Sequence, residues 1–248
     1  MKVTVLGASG AWPTPGHACS GFLVEHEGFR LVMDLGYATL PNLLRVVPAE
    51  AVDGVLITHG HPDHCADLHP LLRARALAGK PPAALPVYTQ PGALDAVLAL
   101  DRPGMLDGAY RLHKYFAGER FRIGPFAVET WLLPHFLPNA GIRLTAGGKI
   151  LAYTGDTGPS PDLLALAAGA DLLIADASFA EEVPEDSRRY LLSGLMAGQV
   201  AQQAGVGRLL LTHLLPGALP QSIRAAARRG YRGTLGIARD GTVVDLGP

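Results

Sequence analysis

Four side chains able to bind a metal ion stand within six residues of one another: His59, His61, Asp63 and His64, in the string GVLITHGHPDH. Neutral imidazole nitrogens suit Zn2+ strongly, and a carboxylate among them supplies negative charge to balance a divalent cation. With this composition an H-x-H-x-D-H string would arise by chance in roughly one shuffled chain in one or two thousand, so it is far more specific than a lone H-x-H pair. The apolar residues Val55 to Ile57 before it read as the end of a buried strand. Ligands placed there are held by a rigid scaffold while the site stays open to solvent, as a catalytic metal requires.

Three more residues follow strand-like runs: His135 in LLPHFLPNAGIRL, Asp156 in LAYTGDTG and His213 in LLLTHLLPG. Taken singly, each histidine is as readily a packed or solvated residue as a ligand, and Asp156 could cap a turn. His17, in the loop TPGHACSG, reads first as a solvated residue and second as part of a site mouth. His69 reads as a helix-surface residue or one standing behind the ligands, and His26 and His113 have no supporting context. Cys65 reads as a small buried residue, and Asp67 as serving the start of the helix that follows it.

The elements that must hold these groups follow from apolar periodicity. Strands are expected over 2–6, 21–25, 29–33 and 54–58, then helices over 66–77 and 91–100, the latter behind a proline. The second half repeats the order, with strands over 126–133, 142–145 and 149–153, and a hairpin turn at 146–148. A helix over 161–168, a strand over 171–175, a helix over 194–204, a strand over 208–212 and a helix over 221–229 complete it. No Ser/Gly tract or charge run divides the halves. The expectation is an α/β fold forming a single domain over 1–248, with two facing β-sheets and helices on their outsides.

Composition narrows the function classes. The chain has 248 residues, 48% hydrophobic and 17% charged, which excludes a disordered chain. No apolar run reaches the ~18 residues of a membrane span, so no membrane partner is expected. A formal charge of -1 gives no extended nucleic-acid surface and no acidic tail. Cys19 and Cys65 form no C-x-x-C pair, and MKVTVLGASG lacks the pattern of a secretory signal, so a reducing, cytoplasmic location is expected.

The H-x-H-x-D-H string after a strand resembles that of the metallo-β-lactamase-fold hydrolases, and the resemblance covers most of the chain. VTVLGASGAWPTP and FRLVMDLG, with Asp34, look like that family's first strand pair and first acidic motif. His135 looks like the third histidine of the first metal site, Asp156 like the bridging aspartate, and His213 like the last ligand. The resemblance implies a four-layer αβ/βα sandwich of two facing mixed sheets. It implies two divalent metal ions, Zn2+ first, with Mn2+ or Fe2+ acceptable at a mixed histidine and carboxylate site. His59, His61 and His135 would hold one ion and Asp63, His64 and His213 the other, with Asp156 and a hydroxide bridging both. Asp63 and Asp156 would be the carboxylates acting in the reaction, and Asp34 would orient a ligand histidine from behind. Family members are commonly homodimers, for which the apolar stretch Leu214 to Leu219 could supply an interface.

Within that superfamily, the order LGASG, MDLG, THGHPDH, PHFLPNAGIRL, YTGDT, ADASF and LLLTH resembles the RNase Z-like branch, which includes tRNA 3′-processing endonucleases and small cyclic-nucleotide phosphodiesterases. The expected activity is therefore metal-dependent hydrolysis of a small anionic substrate, a phosphodiester such as a cyclic nucleotide. Two departures count against tRNA cleavage. The short stretch between His135 and Asp156 has no room for an inserted tRNA-binding arm, and Leu192 in YLLSGLMAG stands where the branch has a catalytic histidine. Asp176 in ADASF represents that histidine's acidic partner. Leucine cannot protonate a departing alkoxide, so the proton must come from elsewhere, with metal-bound water, Asp63 or His17 as sources. The same centre could open a lactone, thioester or other carboxylic ester, with Leu192 as an apolar wall facing substrate. A metal-binding scaffold without catalysis is the remaining option.

Overall fold

The apolar runs 31–33 and 172–175 are continuous because both faces of their strands are covered. In the computed structural model, which describes residues 1–247, Leu31 and Met33 face one core while Val32 and Leu35 face another. Leu172 and Ile174 share the first of these cores, whereas Leu173 and Ala175 face a third. Side chains alternate along a strand, so a residue pattern without polar positions calls for packing on both sides.

The first sheet contains β1 (Lys2–Gly7), β2 (Gly21–His26), β3 (Phe29–Leu35), β4 (Gly54–Leu56), β5 (Leu85–Thr89) and β6 (Tyr110–Lys114). The second contains β7 (Arg120–Ile123), β8 (Phe126–Leu133), β9 (Asn139–Ala146), β10 (Lys149–Tyr153), β11 (Leu172–Asp176), β12 (Arg208–Thr212) and β13 (Thr234–Ile237). The last strand, β14 (Val243–Asp245), returns to the first sheet beside β1. The orders are β14-β1-β2-β3-β4-β5-β6 and β13-β12-β11-β10-β9-β8-β7. Both sheets are mixed: β1 to β3 and β7 to β10 pair antiparallel, and β3 to β6 and β10 to β13 pair parallel.

The core between the sheets holds Val5, Phe22, Leu56, Phe126, Ile142 and Tyr153. On the outer side of the first sheet lie α1 (Thr39–Leu44), α2 (Pro62–Cys65), α3 (Leu68–Ala76) and α4 (Asp95–Leu98), sealing Val55, Leu71 and Leu72. On the outer side of the second lie α5 (Asp162–Ala167), α6 (Gly194–Gln203) and α7 (Pro220–Gly230), sealing Leu166, Leu211 and Ile223. This is the expected four-layer αβ/βα sandwich. Among the described residues no helix is long and apolar enough to cross a membrane.

Several boundaries differ from expectation. The strand expected over 54–58 ends at Leu56, although Ile57 N–H still donates to Tyr88 O at 2.9 Å and keeps the chain straight as far as the motif. The helix expected over 66–77 is α3, beginning at Leu68, and a further short helix not expected, α2, precedes it because Pro62 starts a turn that contains Asp63 and His64. The helix expected over 91–100 is one turn, α4, since Gly92 sits at φ 79 and breaks the helical run. Asp67 does not bond the first turn of α3; its Oδ2 accepts from Leu40 N–H at 2.8 Å and so serves α1. Strands β5, β6, β7, β13 and β14 carry no clear apolar run and were not expected.

Candidate metal centre

The seven expected ligands come from strand ends and one short helix on the same rim of the sandwich. The extended chain past β4 delivers His59, and α2 begins after His61, with Pro62 fixing its first turn and Asp63 and His64 inside it. Beyond β8 comes His135, beyond β10 comes Asp156, and beyond β12 comes His213. Gly155 turns the chain toward Asp156 at φ 57, where a Cβ would collide with the Asn139 side chain. Three non-glycine residues here adopt left-handed backbone, Ala11 at φ 64, Asp34 at φ 54 and His213 at φ 58. Such conformations cost on the order of 1–3 kcal/mol and gather where the surroundings over-determine them.

The side chains form two groups that share Asp156. His59, His61, His135 and Asp156 make the first, and Asp63, His64, His213 and Asp156 the second, with the candidate ligand atoms of each lying within 4.8 Å of one another. His61 Nδ1 is 3.0 Å from His59 Nε2 and 3.0 Å from His135 Nε2. In the second group His213 Nε2 lies 3.0 Å from Asp156 Oδ2 and 3.2 Å from Asp63 Oδ2, and His64 Nε2 lies 3.1 Å from Asp156 Oδ1.

Proton bookkeeping around the rings shows which nitrogens face inward bare. His135 Nδ1 is 2.9 Å from the Tyr190 carbonyl, which only accepts, so the ring proton sits on Nδ1. Thr58 Oγ1 donates to Asp34 Oδ2 at 2.8 Å and is left to accept from His59 Nδ1 at 3.1 Å. His64 Nδ1 donates to the same Asp34 oxygen at 2.8 Å. Ser178 Oγ donates to Asp176 Oδ1 at 2.7 Å and accepts from His213 Nδ1 at 3.0 Å. Four histidines therefore turn Nε2 toward the two groups, and on the neutral His59 and His135 it is bare. The bare Nε2 atoms of His59 and His135 both face His61 Nδ1 at 3.0 Å, where one ring proton cannot satisfy both and a cation would serve all three. His64 Nε2 and Asp156 Oδ1, 3.1 Å apart, are buried without an aligned hydrogen bond. The residues fit divalent metal ions.

The metal-free electrostatics agree. Burial, reinforced by neighbouring histidines, drives His59, His61 and His135 below the ordinary imidazole range, so these three are neutral and ready to ligate. Burial also opposes charge on His64 and His213, but Asp156 and the other carboxylates outweigh it, raising His64 well above its usual value and His213 to about 10. In the metal-free centre, protons on these two rings take the place of positive charge. The same pairs hold Asp63 and Asp156 below the carboxylate range despite their burial.

Asp34 and Asp176 are fully buried behind the groups. Besides His64 and Thr58, Asp34 accepts from Thr58 N–H at 2.8 Å and Tyr153 Oη at 3.0 Å. Burial raises Asp176 to about 6, with Asp156 adding to the rise and His213 opposing it. Leu192 gives its N–H to Asp176 Oδ2 at 3.1 Å, while its side chain is buried in the outer core. It is therefore not the exposed apolar wall expected of it. His17 is exposed on the β1–β2 loop, His69 pairs with Asp101 at 3.4 Å, and Cys65 is buried. Sequence reasoning passed over Thr58, Tyr153, Ser178, the Tyr190 carbonyl and Ala11, whose N–H donates to Asp63 Oδ2 at 2.8 Å. Thr58 and Ser178 could have been found from their places directly before His59 and two residues after Asp176.

A family model described as a beta-lactamase superfamily domain matches residues 11–214. The chain is 32% identical, over 98% of its length and 99% of the relative's, to the probable metallo-hydrolase YhfI of Bacillus subtilis. The crystal structure of B. subtilis YhfI aligns with a TM-score of 0.89 at 30% identity, covering 98% of this chain and 99% of that one. Ribonuclease Z of Mycobacterium bovis is 28% identical over 100% of this chain and 99% of its own length. The short form of human tRNase Z shares the fold, with a TM-score of 0.79 at 22% identity and 100% coverage of both chains.

Proposed function

The chain belongs to the beta-lactamase superfamily of metallo-hydrolases, and we propose that it hydrolyses a small phosphodiester such as a cyclic nucleotide at a centre holding two divalent cations. The carrying observation is the pair of ligand groups joined through Asp156, with inward lone pairs and two unpartnered buried atoms. His59, His61 and His135 would hold one ion and Asp63, His64 and His213 the other, Zn2+ being the best match to the donors. When bound, two such ions would lower the pKa of water far enough to supply hydroxide near neutral pH and would polarise the oxygens of the scissile group.

The chain's own residues position and neutralise. Two divalent charges against the carboxylates of Asp63 and Asp156 leave the centre net positive, which favours an anionic ester over a neutral one. Ala11 N–H and His213 fix Asp63 through Oδ2, leaving the ionised Oδ1 to take the proton released by the attacking water and pass it to the departing oxygen, in place of the histidine that Leu192 replaces. His17 lies exposed further along the β1–β2 loop that supplies Ala11 and outside both ligand groups, which makes Asp63 the better carrier. The stretch between His135 and Asp156 is taken up by the β9–β10 hairpin, so no arm for a folded RNA projects there.

A second reading, hydrolysis of a lactone, thioester or other carboxylic ester, is favoured by an open apolar cleft of about 610 Å3 beside His135, lined by Leu132, Phe136 and Leu137 among several prolines. Turnover of bis(p-nitrophenyl) phosphate and cyclic nucleotides by protein loaded with Zn2+ or Mn2+, set against a lactone and a thioester, separates the two. Phosphodiester hydrolysis that disappears in Asp156→Ala is expected. Metal-replete protein that leaves the diesters intact and opens the lactone or thioester overturns the first reading, and activity unaffected by Asp156→Ala removes the centre from catalysis.

A further inference from the structure

Over 187–239 the chain has eight arginines and no acidic residue, a bias hidden by its near-zero total charge. Four of the eight have partners: Arg188 pairs with Glu185, Arg229 with Glu181, Arg208 bonds the Asp245 carbonyl, and Arg228 bonds the Gly233 carbonyl. Arg224 on α7 and Arg239 after β13 are exposed, and among the described residues neither guanidinium has an acidic partner.

These two arginines line one groove. A cavity of about 290 Å3 is bordered by Ser9, Thr14, His17, Leu214, Arg239 and Asp240. It meets a trough of about 550 Å3 containing Arg224, with Pro220, Ile237 and Arg239 common to both. Its inner end adjoins the metal centre: Ser9 bridges Leu214, Gly10 N–H donates to Leu214 O at 3.0 Å, and a Cβ on Gly10 would press on the His213 ring at 2.8 Å. Asp240, the one carboxylate bordering the cavity among the described residues, accepts from Ala18 N–H at 3.0 Å and Asn42 Nδ2 at 2.9 Å. The groove thus begins at Leu214, the residue after His213, and leads to two unpartnered guanidinium groups.

We propose that this groove is a subsite for a second phosphate of the substrate, so that the preferred phosphodiester carries at least one further phosphate, as a 5′-phosphorylated dinucleotide does. The proposal rests on the phosphodiester reading above. A guanidinium offers a planar fork of donors that matches phosphate in a two-pronged contact, and its charge persists at any working pH. A bare cyclic mononucleotide would fill the metal centre and leave the groove unused.

The test compares a dinucleotide bearing a 5′-phosphate with its 5′-hydroxyl counterpart on metal-loaded protein. The phosphorylated form is expected to show a KM lower by roughly tenfold, a difference erased by combined Arg224→Gln and Arg239→Gln. Turnover of bis(p-nitrophenyl) phosphate should stay within about twofold in that variant, because the diester does not reach the groove. Equal KM values in the unaltered protein, or a preference that survives both substitutions, overturns the proposal. Should no diester be turned over at all, the phosphodiester reading fails on its own. The groove is then judged by calorimetric binding of inorganic pyrophosphate to metal-loaded protein: at least roughly fivefold weaker binding in the double variant supports it, and equal affinity overturns it.

Discussion

Asp34 and Asp176 grip the site histidines by the same device, a hydroxyl relay. Thr58 passes a hydrogen bond from His59 to Asp34, and Ser178 passes one from His213 to Asp176. Asp34 also holds His64 directly, so one buried carboxylate fixes rings from both ligand groups. An amide there keeps a single acceptor oxygen and turns an NH2 group toward donors. Asp34→Asn is therefore expected to weaken metal affinity by about 10–100-fold while the protein stays folded, as read by competition with a chromogenic chelator alongside circular dichroism. Unchanged affinity would remove Asp34 from the support of the centre. Ser178→Ala breaks only one relay and should weaken binding at the His213 group alone. The ligand string was legible because four rare donor types crowd together, whereas Thr58 and Ser178 belong to common types whose role appears only once the rings are placed. Asp67 misled for a related reason: an acidic residue before a helix reads as its cap, yet its carboxylate reaches back to α1 across the turn.

The strands that periodicity revealed are interior ones, buried on both faces, together with the antiparallel strands beside them. Four of the five that it missed, β6, β7, β13 and β14, are the outermost strands of the two sheets. Edge strands meet water along one side, so YRLHK and RFRI mix charge with apolar residues and lack a continuous run. The turn after β3 was read for Asp34 alone, but Gly36 carries an equal constraint. A Cβ on Gly36 would overlap the backbone carbonyl of Asp63, so α2 can approach β3 only because this position is bare. Gly36→Ala should cost about 1–3 kcal/mol of stability, measured by denaturant unfolding, through forced displacement of α2. Because α2 carries Asp63 and His64 while His59, His61 and His135 lie outside it, the second metal equivalent should weaken more than the first in a stepwise titration. Equal loss at both steps would show that the helix does not set the second group.

At the scale of the whole molecule, the order of motifs along the chain carried the fold through its resemblance to the metallo-β-lactamase-fold hydrolases, while apolar periodicity alone reached two facing sheets with helices outside. The arginine bias over 187–239 was not legible in the net charge, since acidic residues elsewhere cancel it. Cancellation of another kind governs how the molecule responds to pH. Without metal, His213 rises from 6.5 to about 10 and His64 rises well above its ordinary value, so both hold protons in the folded state that they would release in the unfolded one. Their contribution to stability is fully present below 6.5 and is lost as pH climbs through about 10. Asp176, raised from 3.8 to about 6, acts in the same direction in a lower window, its contribution fading as pH rises through about 6. Asp63 and Asp156 run oppositely, stabilising above 3.8 and losing that contribution as pH falls below it. Metal-free protein should therefore melt at progressively lower temperature between pH 6.5 and 10. Metal must displace the protons on His64 and His213 before those rings can ligate, so its stabilising increment should grow over the same interval as the competing protons leave. Paired melting curves of chelator-treated and metal-loaded protein across that range measure both quantities. A metal-free melting temperature that does not change with pH, or a metal increment that shrinks toward pH 10, would mean that these two histidines are not the protonated residents of the empty centre.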